Sequence, residues 1–179
     1  MTKKWLATAA TAALLVGTLL VGTLAYFQDT ADKKNTFTTG MVDIELEEDK
    51  FDDLEEEDKV LVPGRVIAKD PTVVVQANSE NAYVRARIDF SPGLEDLLED
   101  LTIHADWHLN ADGYYYYANM VLKSDSDTSL PAIFTDVQVT TTVTNADLAG
   151  MNPEIDITAH AIQADGFTSA ADAFSNFTP

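Results

Sequence analysis

The chain has 179 residues, 46% of them hydrophobic, with no cysteine, and 30 acidic against 11 basic residues give a net charge of −19. That length carries one domain with a real core. The charge argues against nucleic acid and anionic membrane surfaces as partners, and the missing cysteines exclude disulfides, thiol chemistry and cysteine-based metal sites.

In chain order, Lys3 and Lys4 lead an uncharged run from Trp5 to Phe27. A basic start, an apolar middle and small residues before a polar break make a secretory signal. Thr23 and Ala25 suit cleavage after Ala25. The run is also long enough to span a bilayer, so a retained anchor is the competing reading, weakened by its repeated Thr and Ala. Cleavage leaves 154 residues with nine basic and thirty acidic side chains, a net charge of −21. Only the uncleaved signal would then touch a membrane. Residues 26–40 are polar apart from Tyr26, Phe27 and Phe37, an extended leader whose first five residues are Tyr26, Phe27, Gln28, Asp29 and Thr30.

The domain, residues 41–179, opens with Val42, Ile44 and Leu46 alternating with acidic residues, a half-buried strand. Residues 47–59 form an acidic run, expected as an exposed loop with at most a helical turn. It lacks the glycine and ligand order of a calcium loop, so diffuse divalent-cation binding is all that it predicts. Pro63-Gly64 is a turn signal. Strands are expected at 72–76 and 83–90, the second with Arg85 and Arg87 on one face, where internal ion pairs are the preferred reading. Ser91-Pro92 predicts a helix start, with Leu94, Leu97, Leu98 and Leu101 along one face. Residues 103–109 alternate again, and Asp112-Gly113 before Tyr114–Tyr117 predicts a hairpin, two tyrosines facing the core and two the solvent. Val137, Val139, Thr141 and Val143 share a face, as do Ile155, Ile157, Ala159 and Ala161. The tail from Thr168 is small and polar with two phenylalanines. About eight strands with short turns predict an all-β, antiparallel jelly-roll-like β-sandwich with one or two short helices.

The blocks Ala25–Thr30, Asn35–Ile44, Val62-Pro63-Gly64 with Lys69-Asp70-Pro71, Asn81–Arg87, Trp107 with Asp112–Tyr117, and Ala161–Phe167 resemble TasA/camelysin-type proteins. These are exported from Gram-positive bacteria through a SipW-type signal peptidase. The resemblance implies a jelly roll that assembles with copies of itself, and with other matrix proteins, into extracellular biofilm-matrix fibres or a surface layer. It also raises a metallo-endopeptidase activity, which camelysin relatives are named for.

His104-Ala105-Asp106-Trp107-His108 has the spacing of the zinc-protease pattern His-Glu-x-x-His, in which a helix aligns the imidazoles and Glu is the base. Here Ala105 stands at the Glu position. Along a strand the two histidines lie about 13 Å apart, too far to share one zinc at about 2.1 Å each. The expectation is therefore no catalytic, cofactor or metal residue, and a solvent-facing histidine pair that His160 could join only in space. No nucleophile elbow or phosphate-cradling loop appears. Three functions remain: a fibre subunit that donates its mature N-terminal segment to a neighbour, a surface metallo-endopeptidase, and a monomeric adhesin.

Overall fold

The computed structural model describes residues 28–31, 42–144, 146–148, 151–175 and 177; the signal, with Ala25, Tyr26 and Phe27, lies outside them. The ten strands are β1 (Gln28–Ala31), β2 (Ile44–Glu47), β3 (Val66–Ala68), β4 (Thr72–Val75), β5 (Ala82–Phe90), β6 (Trp107–Leu109), β7 (Tyr115–Tyr117), β8 (Thr128–Ser129), β9 (Asp136–Gln138) and β10 (Ile155–Gln163). The helices among the described residues are α1 (Asp49–Asp52) and α2 (Ala170–Ser175). Every ladder is antiparallel. One sheet runs β1-β10-β5-β7-β6, and it faces a three-stranded sheet β2-β4-β8 and a pair β3-β9. The fold is the predicted all-β sandwich with two short helices.

The period of two makes the core. β5 contributes Ala82, Val84 and Ala86, β10 contributes Ile157, Ala159 and Ala161, and the opposite sheets contribute Ile44, Val73, Val75 and Val137. Small side chains at the middle of the long sheet let the larger Phe134, Ile133 and Leu130 fill the space between the layers. Tyr115 and Tyr117 pack on this core, and Trp107 stacks on Tyr117 at 5.4 Å while its Nε1–H donates to the Pro131 carbonyl at 2.8 Å. The two-in, two-out expectation for the tyrosines holds in direction, but Tyr116 packs into a second apolar cluster instead of facing water.

Two segments differ from the sequence reading. The helix expected after Ser91-Pro92 is only a 3₁₀ turn, Glu95–Leu97. Gly93 takes φ +80, and Leu98 is already extended at φ −110, ψ 152. Glu99 N–H donates to the Gln138 carbonyl and Thr140 N–H to that of Leu97, so backbone pairing with the β9 region overrides the leucine periodicity. Residues 103–109 are a strand only from Trp107, because His104–Trp107 turns, with Trp107 N–H on the His104 carbonyl.

The acidic run is tied down at its start. Glu48 is buried and accepts from Lys69 Nζ at 2.7 Å, Lys69 sits over the Phe51 ring at 4.5 Å, and Asp70 Oδ1 accepts the Lys50 N–H. Lys69-Asp70-Pro71 therefore clamps α1 to the sandwich. Truncating one member of a buried pair strands the other charge. Lys69→Ala is expected to cost about 3 kcal/mol in urea denaturation, and Lys69→Met combined with Glu48→Leu clearly less; a single variant no worse than the double would show the pair to be solvated.

Candidate assembly edge

β1 is an edge strand. It contains Gln28, Asp29 and Thr30 of the predicted assembly segment, and it pairs with β10 in the register Gln28↔Ile162, Asp29↔Ala161, Thr30↔His160 and Ala31↔Ala159. In the single chain these leader residues form the edge of the chain's own long sheet. β10 receives them because its other edge is filled by β5 over nine consecutive pairs, Ile155↔Phe90 to Gln163↔Ala82. The blocks Asn81–Arg87 and Ala161–Phe167, far apart in sequence, are thus neighbours in the sheet.

One row of residues crosses the outer face of this sheet: His160, Arg85, Tyr116 and His108 are successive cross-strand partners, and Thr30 is the next position in register on β1. Arg85 is the centre of the row and is buried. Its guanidinium lies 3.9 Å from the Tyr114 ring centroid, 4.3 Å from Phe174 and 5.0 Å from Phe177. Nη1 donates to Asp112 Oδ2 at 3.1 Å, and Nε donates to His160 Nδ1 at 3.4 Å. A desolvated cation is costly unless paired, and the carboxylate together with three ring faces supplies the compensation. The preference for internal ion pairs holds: Arg85 takes Asp112, and Arg87 takes the exposed Asp89.

The C-terminal tail roofs this row. Ser169 Oγ accepts the Asp172 N–H as an N-cap, and the Asp172 carboxylate accepts from Thr168 N–H and hydroxyl just ahead of it, which together start α2. The helix brings Ala173 and Phe174 down on Ile162, Tyr83 and Tyr116. Ser169-Ala170-Ala171-Asp172 ahead of Phe174 is the sequence signal that locates this helix, which a reading of the tail as small and polar misses.

His160 is enclosed by Arg85, the Tyr114 ring at 5.5 Å and the Phe177 ring at 4.7 Å, with Thr30 of β1 as its cross-strand neighbour. Burial first, and the Arg85 charge second, push its pKa down to about 4. Its Nδ1 accepts from Arg85, which fixes a neutral ring with the proton on Nε2. His104 and His108 are both exposed, separated by the buried Trp107. His160 lies three strands from His108 and is covered by the tail, about 14 Å across the sheet. The three histidines do not converge, and among the described residues no group of three or more His, Cys, Asp or Glu is placed to hold a metal.

The geometry defines a class: a β-sandwich whose first described strand, formed by leader residues, lies at the edge of its longest sheet. Residues 1–80 match the model of the family described as camelysin metallo-endopeptidase, which includes the leader, β1 and the Lys69-Asp70-Pro71 clamp. The match covers the part of the chain that carries the Ala25–Thr30 and Asn35–Ile44 blocks. No curated protein and no solved structure matches the chain significantly.

The depressed pKa of His160 sets a direction for acid. In the unfolded chain histidine takes up its proton near pH 6.5, in the folded one only near 4, so the unfolded state binds more protons between these values. Stability held above pH 6.5 is therefore lost as the pH falls towards 4, by up to about 3 kcal/mol. Urea midpoints measured from pH 7.5 to 4 are expected to fall less steeply for His160→Gln than for the parent. Parallel curves would show that His160 does not couple to folding.

Proposed function

We propose that this is an exported structural subunit of extracellular matrix fibres or of a surface layer, assembled by exchange of the mature N-terminal strand between copies. The observation that carries the reading is the position of β1: a four-residue edge strand, formed by leader residues, whose hydrogen-bonded strand partner among the described residues is β10, with β2 packed nearby. An edge strand of this kind can pair with its own β10 or with that of a neighbour through the same main-chain bonds, and each exchange leaves the next site open, so the chain of exchanges propagates. Because the bonds are equivalent, concentration decides between the closed monomer and the polymer. The signal restrains this segment until cleavage after Ala25, which times assembly to export. Residues Tyr26 and Phe27 would then enter as the apolar start of the donated strand. The net −21 of the mature chain opposes close packing of copies, so salt, divalent cations or acid favour filaments by screening or protonating carboxylates.

The absence of native cysteine permits a direct test. Ala31 and Ala159 are directly opposed, and opposed residues in antiparallel strands lie about 4.5–5.5 Å apart at Cα, within disulfide reach. A chain carrying Ala31→Cys and Ala159→Cys, starting at Tyr26, is expected to close on itself when oxidised as dilute monomer. Oxidised in filaments, it is expected to give a ladder of covalent multimers on a denaturing gel. Filaments containing only internally closed chains would sink strand exchange.

The family description is the observation that favours a metallo-endopeptidase as the second reading. It requires stoichiometric zinc and chelator-sensitive cleavage of a protein substrate. The expected outcome is that His104→Ala with His108→Ala leaves both metal content and any hydrolysis unchanged; loss of bound zinc together with hydrolysis would establish the protease.

A further inference from the structure

The long sheet has a notch beside β5. β10 pairs with all nine residues of β5, but on the opposite side β7 pairs only with Arg85 and Ala86. Main-chain groups along a strand point alternately to its two sides. Ser91 N–H reaches the Glu154 carbonyl on the β10 side, whereas Ala82 exchanges both of its bonds with Val121 on the other side. The alternation sends the N–H and C=O of Ile88 and Phe90 towards the β7 side, beyond the end of β7. No described residue hydrogen-bonds to them there.

The space next to these groups is a cleft of about 590 Å³. Its apolar surfaces come from Ile88, Phe90, Leu98, Leu101, Leu109 and Tyr115, and Leu109 is 63% exposed. Exposed Glu95, Glu99 and Asp100 stand on the rim, and no Lys, Arg or His lines the cleft. Asp89, which also borders it, is paired with Arg87.

We infer that this notch binds an extended, basic polypeptide segment from a different protein, which adds to β5 as a short strand. Ile88 and Phe90 are two residues apart, about 7 Å, so three residues of an incoming strand satisfy all four main-chain groups. Alternate apolar side chains of that strand cover the leucines, and the intervening Lys or Arg side chains meet Glu95, Glu99 and Asp100. A second copy of this chain is a poor occupant, because its net charge of −19 is repelled by the same rim. A cationic partner gains main-chain bonds, apolar cover and charge complementarity at once.

The probe is the peptide acetyl-Lys-Val-Lys-Val-Lys-Val-amide, titrated calorimetrically into the purified full chain at low salt, with Glu replacing Lys in a control peptide. Saturable one-to-one binding of the basic peptide alone is expected, together with slowed hydrogen exchange at the Ile88 and Phe90 amides. Glu95→Lys with Glu99→Lys is expected to weaken binding by about tenfold or more. Glu55→Lys with Glu57→Lys, the same charge change on the exposed acidic run, is expected to change it little. Unprotected amides at 88 and 90, or equal weakening by the two charge reversals, would reduce the interaction to general attraction and overturn the site. Protection of the same amides that grows with protein concentration without peptide would make a second copy the occupant, and would equally overturn the assignment to a basic partner.

Discussion

The nine-pair ladder between β5 and β10 is the constraint from which the rest of the molecule follows. Its register places alanines and valines on one face and Arg85, His160 and Ile162 on the other. The small residues let the opposite sheets approach and build the main core. The polar outer face cannot be left as it is, because a central strand carrying Arg85 between two neighbours has little water around it. The C-terminal tail solves this by laying Phe174 and Phe177 over the guanidinium, so that the chain's last described residues are held by a cation placed near its middle. A register shift of one residue would turn Arg85 into the alanine-lined core and expose Val84, which is why the ladder admits one alignment only.

How much of this the sequence discloses depends on whether the signal is local. Alternation in 42–47, 83–90 and 155–161 reveals β2, β5 and β10, because period-two burial is written into consecutive residues. Pro63-Gly64 and Asp112-Gly113 reveal their turns for the same reason: Gly64 and Gly113 take φ +75 and +82, which favour glycine. The leucines of 94–101 mislead, since they are spaced for a helix yet reach the core from a 3₁₀ turn and an extended segment. Their partner is β9, some forty residues away, and no local pattern records that. β8, two residues long, leaves no trace in the sequence at all. At the candidate edge, the leader's extended character is visible, but its partner is not: that Thr30 sits opposite His160 depends on where β5 leaves a free edge on β10.

The same comparison weighs the two functional readings. A zinc protease needs side chains that converge, and the three histidines are dispersed by the fold: one before a turn, one on the far edge strand, one beneath the aromatic roof. Assembly needs only an accessible edge and a segment able to leave it. The long sheet ends in β1 on one side and in the three-residue β6 on the other, and both are short. Short edges limit uncontrolled association, so a polymer built from this sandwich must use a segment that brings its own register with it. A strand continuous with the leader meets that requirement, since its length and position in the chain are fixed before any contact forms.

Acid acts on this molecule in two opposed ways, and they operate on different parts of it. Protonating carboxylates lowers the self-repulsion of a chain with thirty of them, which favours contact between copies. Protonating His160 places a second positive charge against Arg85, directly behind the position of Thr30 on β10 and under the Phe177 ring. Asp112, the carboxylate on Arg85, is already engaged by that guanidinium and by the Tyr116 hydroxyl, so it has little capacity to neutralise a further charge. The elements that border the ring are the six-residue helix α2 above it and the four-residue strand β1 beside it, and both must accommodate the added charge. Loosening β1 from its own β10 is the step that strand exchange requires. Protonating His160 thus weakens the seat of β1 whichever copy supplies the strand, while protonating carboxylates lowers the repulsion between copies.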